Sequence, residues 1–396
     1  MAIADIESGL DDTEAQVRET VHRFAAEVMR PAGTALDRLQ DPADVIARGS
    51  PLWAVHEGYR SLGLDELDGD LSIEPAARAR LRAIISEELG WGDAGLAISI
   101  GAGGFPSMLA AMSGDQSLVE EYRGSIGCWA VTEPDHGSDT LTFTEKHFRD
   151  PSLRPNCVAT IAGDEVVIRG QKSAWVSNGT IASAAALFCS VEGEHGFDAG
   201  AVVLVPLDAP GVTRGKPLDK LGQRALNQGE IFFDEVCVPR NHLVVGPDTY
   251  ALTVELVLCM ANAGMGTTFV GCAQAAFEHA QEYAHTRVQG GVPIFEHQSV
   301  KSRLFKMFTK VEAARALARR VSVYNSTNPP LIQYSIASKV FATTTAFEVA
   351  SDAVQMFGGN GLSREYPVEK LLRDARASMI EDGCNEVLGI VGASRL

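Results

Sequence analysis

Apolar positions along the chain recur with two different periods. Asp11 followed by Glu14 reads as a capping box, and Val17, Val21, Phe24, Ala25 and Val28 then keep three-and-four spacing up to Pro31, where the pattern predicts a helix end. The same spacing predicts helices over 52–62, 74–89, 94–112 and 117–122. The stretch 94–114 carries no charge for 21 residues, but Gly95, Gly101, Gly103, Gly104 and Pro106 make it a poor membrane span, and it reads as a buried helix broken near 103–106. From about Gly127 the period shortens. Runs rich in Val, Ile, Ala and Phe at 128–132, 166–168, 182–191, 201–207 and 229–238, separated by Gly, Pro and Asp, predict a β domain. Beyond Gly246 and Pro247 the helical period returns. Leu256, Met260, Ala263, Thr267, Val270, Gln274 and Phe277 mark a long helix reaching toward Arg287, and two more follow at 298–324 and 331–357, parted by Pro329-Pro330 and stopped by Gly358-Gly359. The order predicts an α+β chain with a helical domain over 1–126, a β domain over 127–245 and a second helical domain over 246–396.

Composition narrows the function classes. With 396 residues, 45% hydrophobic and 21% charged, the chain is sized for two or three cores, and disorder, collagen and coiled coil are excluded. Lys+Arg 34 against Asp+Glu 51 leaves a net charge of −17, which repels phosphate backbones and anionic lipid, so neither nucleic acid nor a membrane surface is the expected partner. The seven cysteines are scattered with no pair at metal-binding spacing, which argues against a disulfide framework and a zinc cluster and predicts a reducing cytoplasm. The start, MAIADIESGLDD, has neither the basic residues nor the apolar core of a secretory signal.

Three segments carry candidate chemistry. Gly358-Gly359-Asn360-Gly361 is either a helix stop or a loop whose amides approach a phosphate; no Gly-x-Gly-x-x-Gly or Walker loop occurs elsewhere. Thr132 to Asp139 leaves a strand into a turn dense in hydroxyls and carboxylates, which either presents donors to a ligand or is a solvated loop; His136, with no second His or Cys at useful spacing, reads as a surface residue. Glu381 and Asp382 precede Gly383 and a last short helix. Asp382 either caps that helix or serves as a base for proton abstraction beside a carbonyl.

In this order the segments resemble the acyl-CoA dehydrogenase family over nearly the whole chain. Val131-Thr132-Glu133-Pro134-Asp135-His136-Gly137-Ser138-Asp139 is similar to its Thr-Glu-Pro-x-x-Gly-Ser-Asp signature, and 170–179, GQKSAWVSNG, to its Gly-x-Lys-x-Trp-Ile-Thr-Asn strand pair with one extra residue. Arg287, Gly291, Pro293, Ile294 and Gln298 keep the spacing of a third motif, while 355–361 and 365–376 resemble its Gly-Gly-x-Gly and Tyr-Pro-x-x-Arg-x-x-Arg-Asp blocks. The resemblance implies a helical, β-barrel and four-helix-bundle arrangement, FAD as cofactor, and α,β-dehydrogenation of an acyl-CoA with electrons passed to an electron-transfer flavoprotein. It assigns flavin contacts to Trp129, Val131, Thr132, Gly137, Ser138, Trp175, Val176, Ser177, Cys384 and Glu386. Arg287, Gln298, Gln355, Met356, Phe357, Gly358 and Gly359 would hold the pyrophosphate and adenosine, typically of a neighbouring subunit's FAD, and Ser138, Asn262 and Gly383 would meet substrate. A homotetramer, as a dimer of dimers, or a heteromer is the expected assembly.

The sequence departs from that pattern at the chemistry itself. Asp382 stands where the family has its glutamate base, with Glu381 for Tyr and Cys384 for Thr. A carboxylate about 1 Å shorter in reach costs about a hundredfold in rate unless the backbone or substrate shifts. Asp382 is then the base for a substrate seated closer, Glu381 is an alternative base, or the chain is a catalytically weak FAD-binding subunit; a nitroalkane oxidase-like flavoenzyme is a further alternative. The alternative base position of some members holds Ala261, with Asn262 for its usual Arg neighbour, and Gly290 replaces a Phe. Between Asp139 and Gly170 about a dozen extra residues include a basic, Pro-rich loop at 147–155, suited to a CoA phosphate, a subunit contact or plain solvent exposure.

Overall fold

The structure is a computed structural model describing residues 10–64, 72–141 and 150–396. The first part of the extra loop, 147–149, lies outside the described residues. Helix α1 (Asp12–Phe24) opens on the expected capping box, with Glu14 N–H donating to the Asp11 carboxylate at 2.8 Å and Asp11 N–H to Glu14 at 3.1 Å. Pro31 does not end it. A π turn over Ala25–Met29, in which Arg30 N–H reaches back to Ala25 O, shifts the bonding register and sets Pro31 in the first turn of α2 (Arg30–Asp37), where its missing N–H costs least. Then come α3 (Pro51–Ser61), α4 (Pro75–Gly92), α5 (Ala94–Gly103), α6 (Phe105–Ser113) and α7 (Gln116–Tyr122). The uncharged stretch breaks at Gly104 as its glycines and Pro106 require.

Among the described residues eight strands follow: β1 (Gly127–Ala130), β2 (Val158–Ala162), β3 (Glu165–Lys172), β4 (Ala184–Val191), β5 (Gly200–Pro206), β6 (Val212–Arg214), β7 (Ile231–Pro239) and β8 (Leu243–Val245). They form one sheet in the order β6-β7-β3-β2-β4-β5-β8, with β1 joined to β4 in parallel, Gly127 opposite Ala184. The sheet curls around a shared interior of Ile168, Leu187, Val203, Val205, Phe233 and Val236. The other face of β4 and β5, through Ala186, Phe188 and Leu204, packs against Leu109, Tyr250 and Val257 of flanking helices. Burial on both faces explains why β4 and β5 read as unbroken apolar runs.

The last part contains α8 (Pro247–Thr286), a small hairpin of β9 (Val288–Gln289) and β10 (Val292–Pro293), α9 (Gln298–Thr327), α10 (Ile332–Phe357), α11 (Val368–Ser378) and α12 (Asn385–Ala393). Helix α8 starts nine residues before Leu256, because Pro247 at its first turn and Tyr250 and Val254, packed against the sheet, recruit the preceding turns. Both Ala94–Ser113 and α8 are long and apolar enough to cross a membrane, but the most apolar window of α8 is 72% buried within the bundle. Helices α4 and α8 approach so closely that a Cβ on Gly90 would lie 1.9 Å from Thr268 O, and one on Gly271 1.9 Å from Glu87 O. Ion pairs tie the three parts together. Lys370 of α11 donates to Asp93 and Asp374 at 2.6 Å each, Arg373 pairs with Asp37 at 2.8 Å, and Gln223 N–H donates to Asp374.

Candidate active site

Two loops of the sheet and one turn of the last helices build the site. The loop after β1, 131–139, is held by a buried ion pair that the sequence pattern did not single out. Lys172 and Glu133 are both fully buried and 2.6 Å apart; Glu133 also accepts the N–H groups of Asn156 and Cys157 at 2.5 and 3.1 Å, and Lys172 donates to Val131 O at 3.0 Å. With every partner placed, that pair fixes the strand end at Thr132, whose carbonyl accepts the Ser173 N–H at 2.8 Å and draws in the second loop. There Trp175 stands 60% exposed and Val176 is buried, while Gln228 Nε2 donates to Trp175 O at 3.1 Å and Ser177 Oγ at 3.3 Å. His136 is paired with Asp139 at 2.8 Å and serves the loop's own shape.

The third part is the turn between α11 and α12. Asp382 has φ 50° and Gly383 φ 91°, so two adjacent residues are left-handed, a conformation aspartate tolerates better than most side chains. Asp382 does not cap α12; the cap position is Cys384, with no side-chain bond. Instead, the Cys384 N–H donates to Ser138 Oγ at 3.1 Å, which places the carboxylate turn directly against the 131–139 loop. Burial pushes the Asp382 carboxyl above its ordinary value, opposed by the charge of Lys339. Glu381 is engaged elsewhere, accepting from Gln223 Nε2 at 2.9 Å, and burial raises its carboxyl to about 7 against the pull of that bond and of Lys220. Lys220 donates to Leu226 O at 2.8 Å and to Gln228 Oε1 at 2.7 Å, so Gln228 joins Glu381's surroundings to the Trp175 loop.

Asn262 is wholly buried on α8, its Nδ2 donating to Leu258 O at 2.9 Å and its Oδ1 left without a partner. Gly383 is buried, and a Cβ there would press on Leu388 at 2.8 Å. Cys384 is half-buried beside Ser138, and Glu386 is exposed in the first turn of α12. Arg287 ends α8, Gln298 begins α9, and Gln355, Gly358 and Gly359 end α10, all exposed, with Met356 and Phe357 buried beneath. Tyr283 stacks on Phe357 with centroids 4.0 Å apart and accepts from Asn360 Nδ2 at 3.0 Å, which fastens the glycine turn to the end of α8. Gly290 and Gly291, at φ 70° and 85°, form the hairpin turn between β9 and β10, where a Phe would be strained.

The family model described as "Acyl-CoA dehydrogenase, middle domain" matches residues 128–236, and "Acyl-CoA dehydrogenase, C-terminal domain" matches 257–396. The chain belongs to the acyl-CoA dehydrogenase family. It is 29% identical to the mitochondrial short-chain specific acyl-CoA dehydrogenase of Mus musculus over 98% of this chain and 90% of that one. It is 28% identical to cyclohexane-1-carbonyl-CoA dehydrogenase of Geobacter metallireducens over 96% of both. The solved butyryl-CoA dehydrogenase of Megasphaera elsdenii superposes with a TM-score of 0.85 at 25% identity, covering 98% of this chain and 99% of that one. The protein is thus an oxidoreductase of acyl-CoA dehydrogenation, and the family's cofactor is FAD.

The residues present fit that cofactor. The indole N–H of Trp129 is buried without a partner beside the 131–139 loop, as expected of a donor reserved for a ligand. Phe105 stacks on the Trp129 ring at 4.9 Å, and the large exposed face of Trp175 stands on the second loop. Signature matching alone found Trp129, but the vacant donor is visible only in the fold. Lys339 and Gln223 were missed altogether. A lysine within the apolar run of α10, at 332, 336, 339, 343 and 346, was the signal available for the first.

Proposed function

We propose that Asp382 removes the α-proton of an acyl-CoA thioester. FAD, when bound, accepts the β-hydrogen with its electron pair at flavin N5. The observation that supports this reading is the Cys384 N–H bond to Ser138 Oγ, since it ties the turn that carries Asp382 to the loop that resembles the flavin signature, while Glu381 accepts from Gln223. Glu381, turned to Gln223, supports the structure around the base. A carboxyl raised by burial is a stronger base when ionised, and that suits abstraction of a weakly acidic carbon-bound proton. Trp129, Val131, Thr132, Gly137, Ser138, Trp175, Val176 and Ser177 would hold the isoalloxazine, and Ser138 and Gly383 would border the thioester. The shorter reach of Asp382 fits substrates whose α-carbon sits close, and a cyclic acyl group such as that named for the Geobacter relative is one such class.

Arg287, Gln298, Gln355, Gly358 and Gly359 share one exposed end of the bundle, and no hydrogen bond or ion pair among the described residues links them to the turn at 381–384. This supports a dimer of dimers in which they hold the pyrophosphate and adenosine of a second copy's FAD. An electron-transfer flavoprotein is the proposed oxidant of the reduced protein, with the exposed Trp175 edge as its approach. The free thiols, five of them buried, suit a reducing cytoplasm.

The test is anaerobic mixing with acyl-CoAs, butyryl-CoA first. The wild type should lose its yellow colour within seconds, and Asp382→Asn should be at least a hundredfold slower while keeping its FAD. If Asp382→Asn bleaches at the wild-type rate, Asp382 is not the base.

A further inference from the structure

We propose that Lys339 is a positioning residue of the base turn, holding its backbone in place and setting a positive charge beside Asp382. Lys339 lies in the middle of α10 with no exposed surface. Its ammonium donates to Gly383 O and to Asn385 Oδ1, both at 2.8 Å. Asn385 Nδ2 donates in turn to Thr343 Oγ1 at 3.1 Å, and Thr343 Oγ1 donates to Lys339 O at 2.8 Å, closing a ring of bonds on α10. The ring clamps the residue that follows the base and the first residue of α12.

A buried lysine whose acceptors are an amide oxygen and a carbonyl is an expensive way to hold a loop, because a neutral donor would serve without desolvating a charge. The charge therefore has a second use. Asp382, Glu381 and Cys384 on the turn and Glu386 on α12 are the titratable groups that face it. Lys339 is in turn the charge that counters the burial of Asp382, while on Glu381 the Gln223 amide and Lys220 act ahead of it. Burial lowers the lysine to about 8, so it is an ammonium at neutral pH. Asp382 is also a non-glycine residue in the left-handed region, a backbone state that its surroundings must hold. The bond to Gly383 O supplies that hold from outside the turn.

The part of this proposal that concerns proton transfer rests on Asp382 being the base; the positioning part does not. Hydrogen exchange read by mass spectrometry on the FAD-loaded full chain, without substrate, measures the positioning. Lys339→Met should speed exchange at least tenfold in peptides spanning 379–388 and leave those from the middle of α8 unchanged. In anaerobic bleaching with butyryl-CoA, loss of the neighbouring positive charge should move the acidic limb of the rate profile upward by about one pH unit, and Lys339→Arg should move it back. Wild-type exchange in the turn together with an unmoved acidic limb overturns the proposal. Should Lys339→Met fail to fold, Asn385→Leu removes one acceptor and keeps the charge; it should speed exchange of the turn with the limb unmoved, and unchanged exchange would again refute the role. If Asp382 is not the base, Asp382→Asn keeps its bleaching while the exchange result for Lys339→Met still stands, so the two failures are distinguishable.

Discussion

At the scale of the residue, the pair Glu381 and Asp382 shows how neighbours in sequence are given separate work. One is tied to a glutamine of the sheet domain, and the other stands on a left-handed backbone in a turn held to the 131–139 loop through Cys384. The fold favours the protonated form of Glu381, whose carboxyl rises from 4.5 to about 7. Its contribution to stability is therefore complete below the unfolded value and is lost as pH rises through about 7. Glu381→Gln is neutral at every pH and can keep the bond from Gln223. It should melt with the wild type near pH 4 and a few degrees above it at pH 8, by calorimetry at both values. A gap of equal size at both would show that Glu381 is not held protonated. The carboxylates themselves were legible in the sequence, as was the signature that marks the loop. Their different surroundings were not, because these depend on Gln223, 158 residues before Glu381, and on Ser138, 246 residues before Cys384.

Among the elements, legibility followed burial. The long helices α8, α9 and α10 and the fully buried strands β4 and β5 stand out because many turns or residues repeat one signal. Strands β6 and β8 are three residues each, too short to show a period, and β2 is a five-residue run, Val-Ala-Thr-Ile-Ala, with one buried position. Pro31 misled because the π turn before it is a rearrangement of hydrogen bonds that no residue type announces. The α4–α8 contact has a sequence correlate only in two glycines, Gly90 and Gly271, each facing a carbonyl of the other helix. Gly271→Ala must push α4 from α8, since backbone and not a flexible side-chain tip lies in the way. It should cost about 1–3 kcal/mol by denaturant titration, although alanine is the better helix former. Stability equal to wild type would mean that the helices part at little cost.

For the whole molecule, the order of helical, β and helical segments was readable from a change of period, whereas the ties between segments were not. Asp37, Asp93, Gln223, Lys370, Arg373 and Asp374 meet from all three parts, and nothing in their local sequence says so. The separation between the turn at Asp382 and the exposed end at Arg287 and Gly358 bears on solution behaviour under the proposed bridging. If one FAD bridges two copies, its retention is a mass-action quantity: each copy's grip on the cofactor depends on how many copies are present. Dilution to nanomolar protein should then release FAD and dissociate the assembly together, and added FAD should restore both, as mass photometry paired with flavin fluorescence would record. Loss of FAD that is independent of protein concentration would mean that each chain holds its cofactor alone. A cell that lets this protein grow scarce would, on the bridging arrangement, lose activity faster than it loses protein.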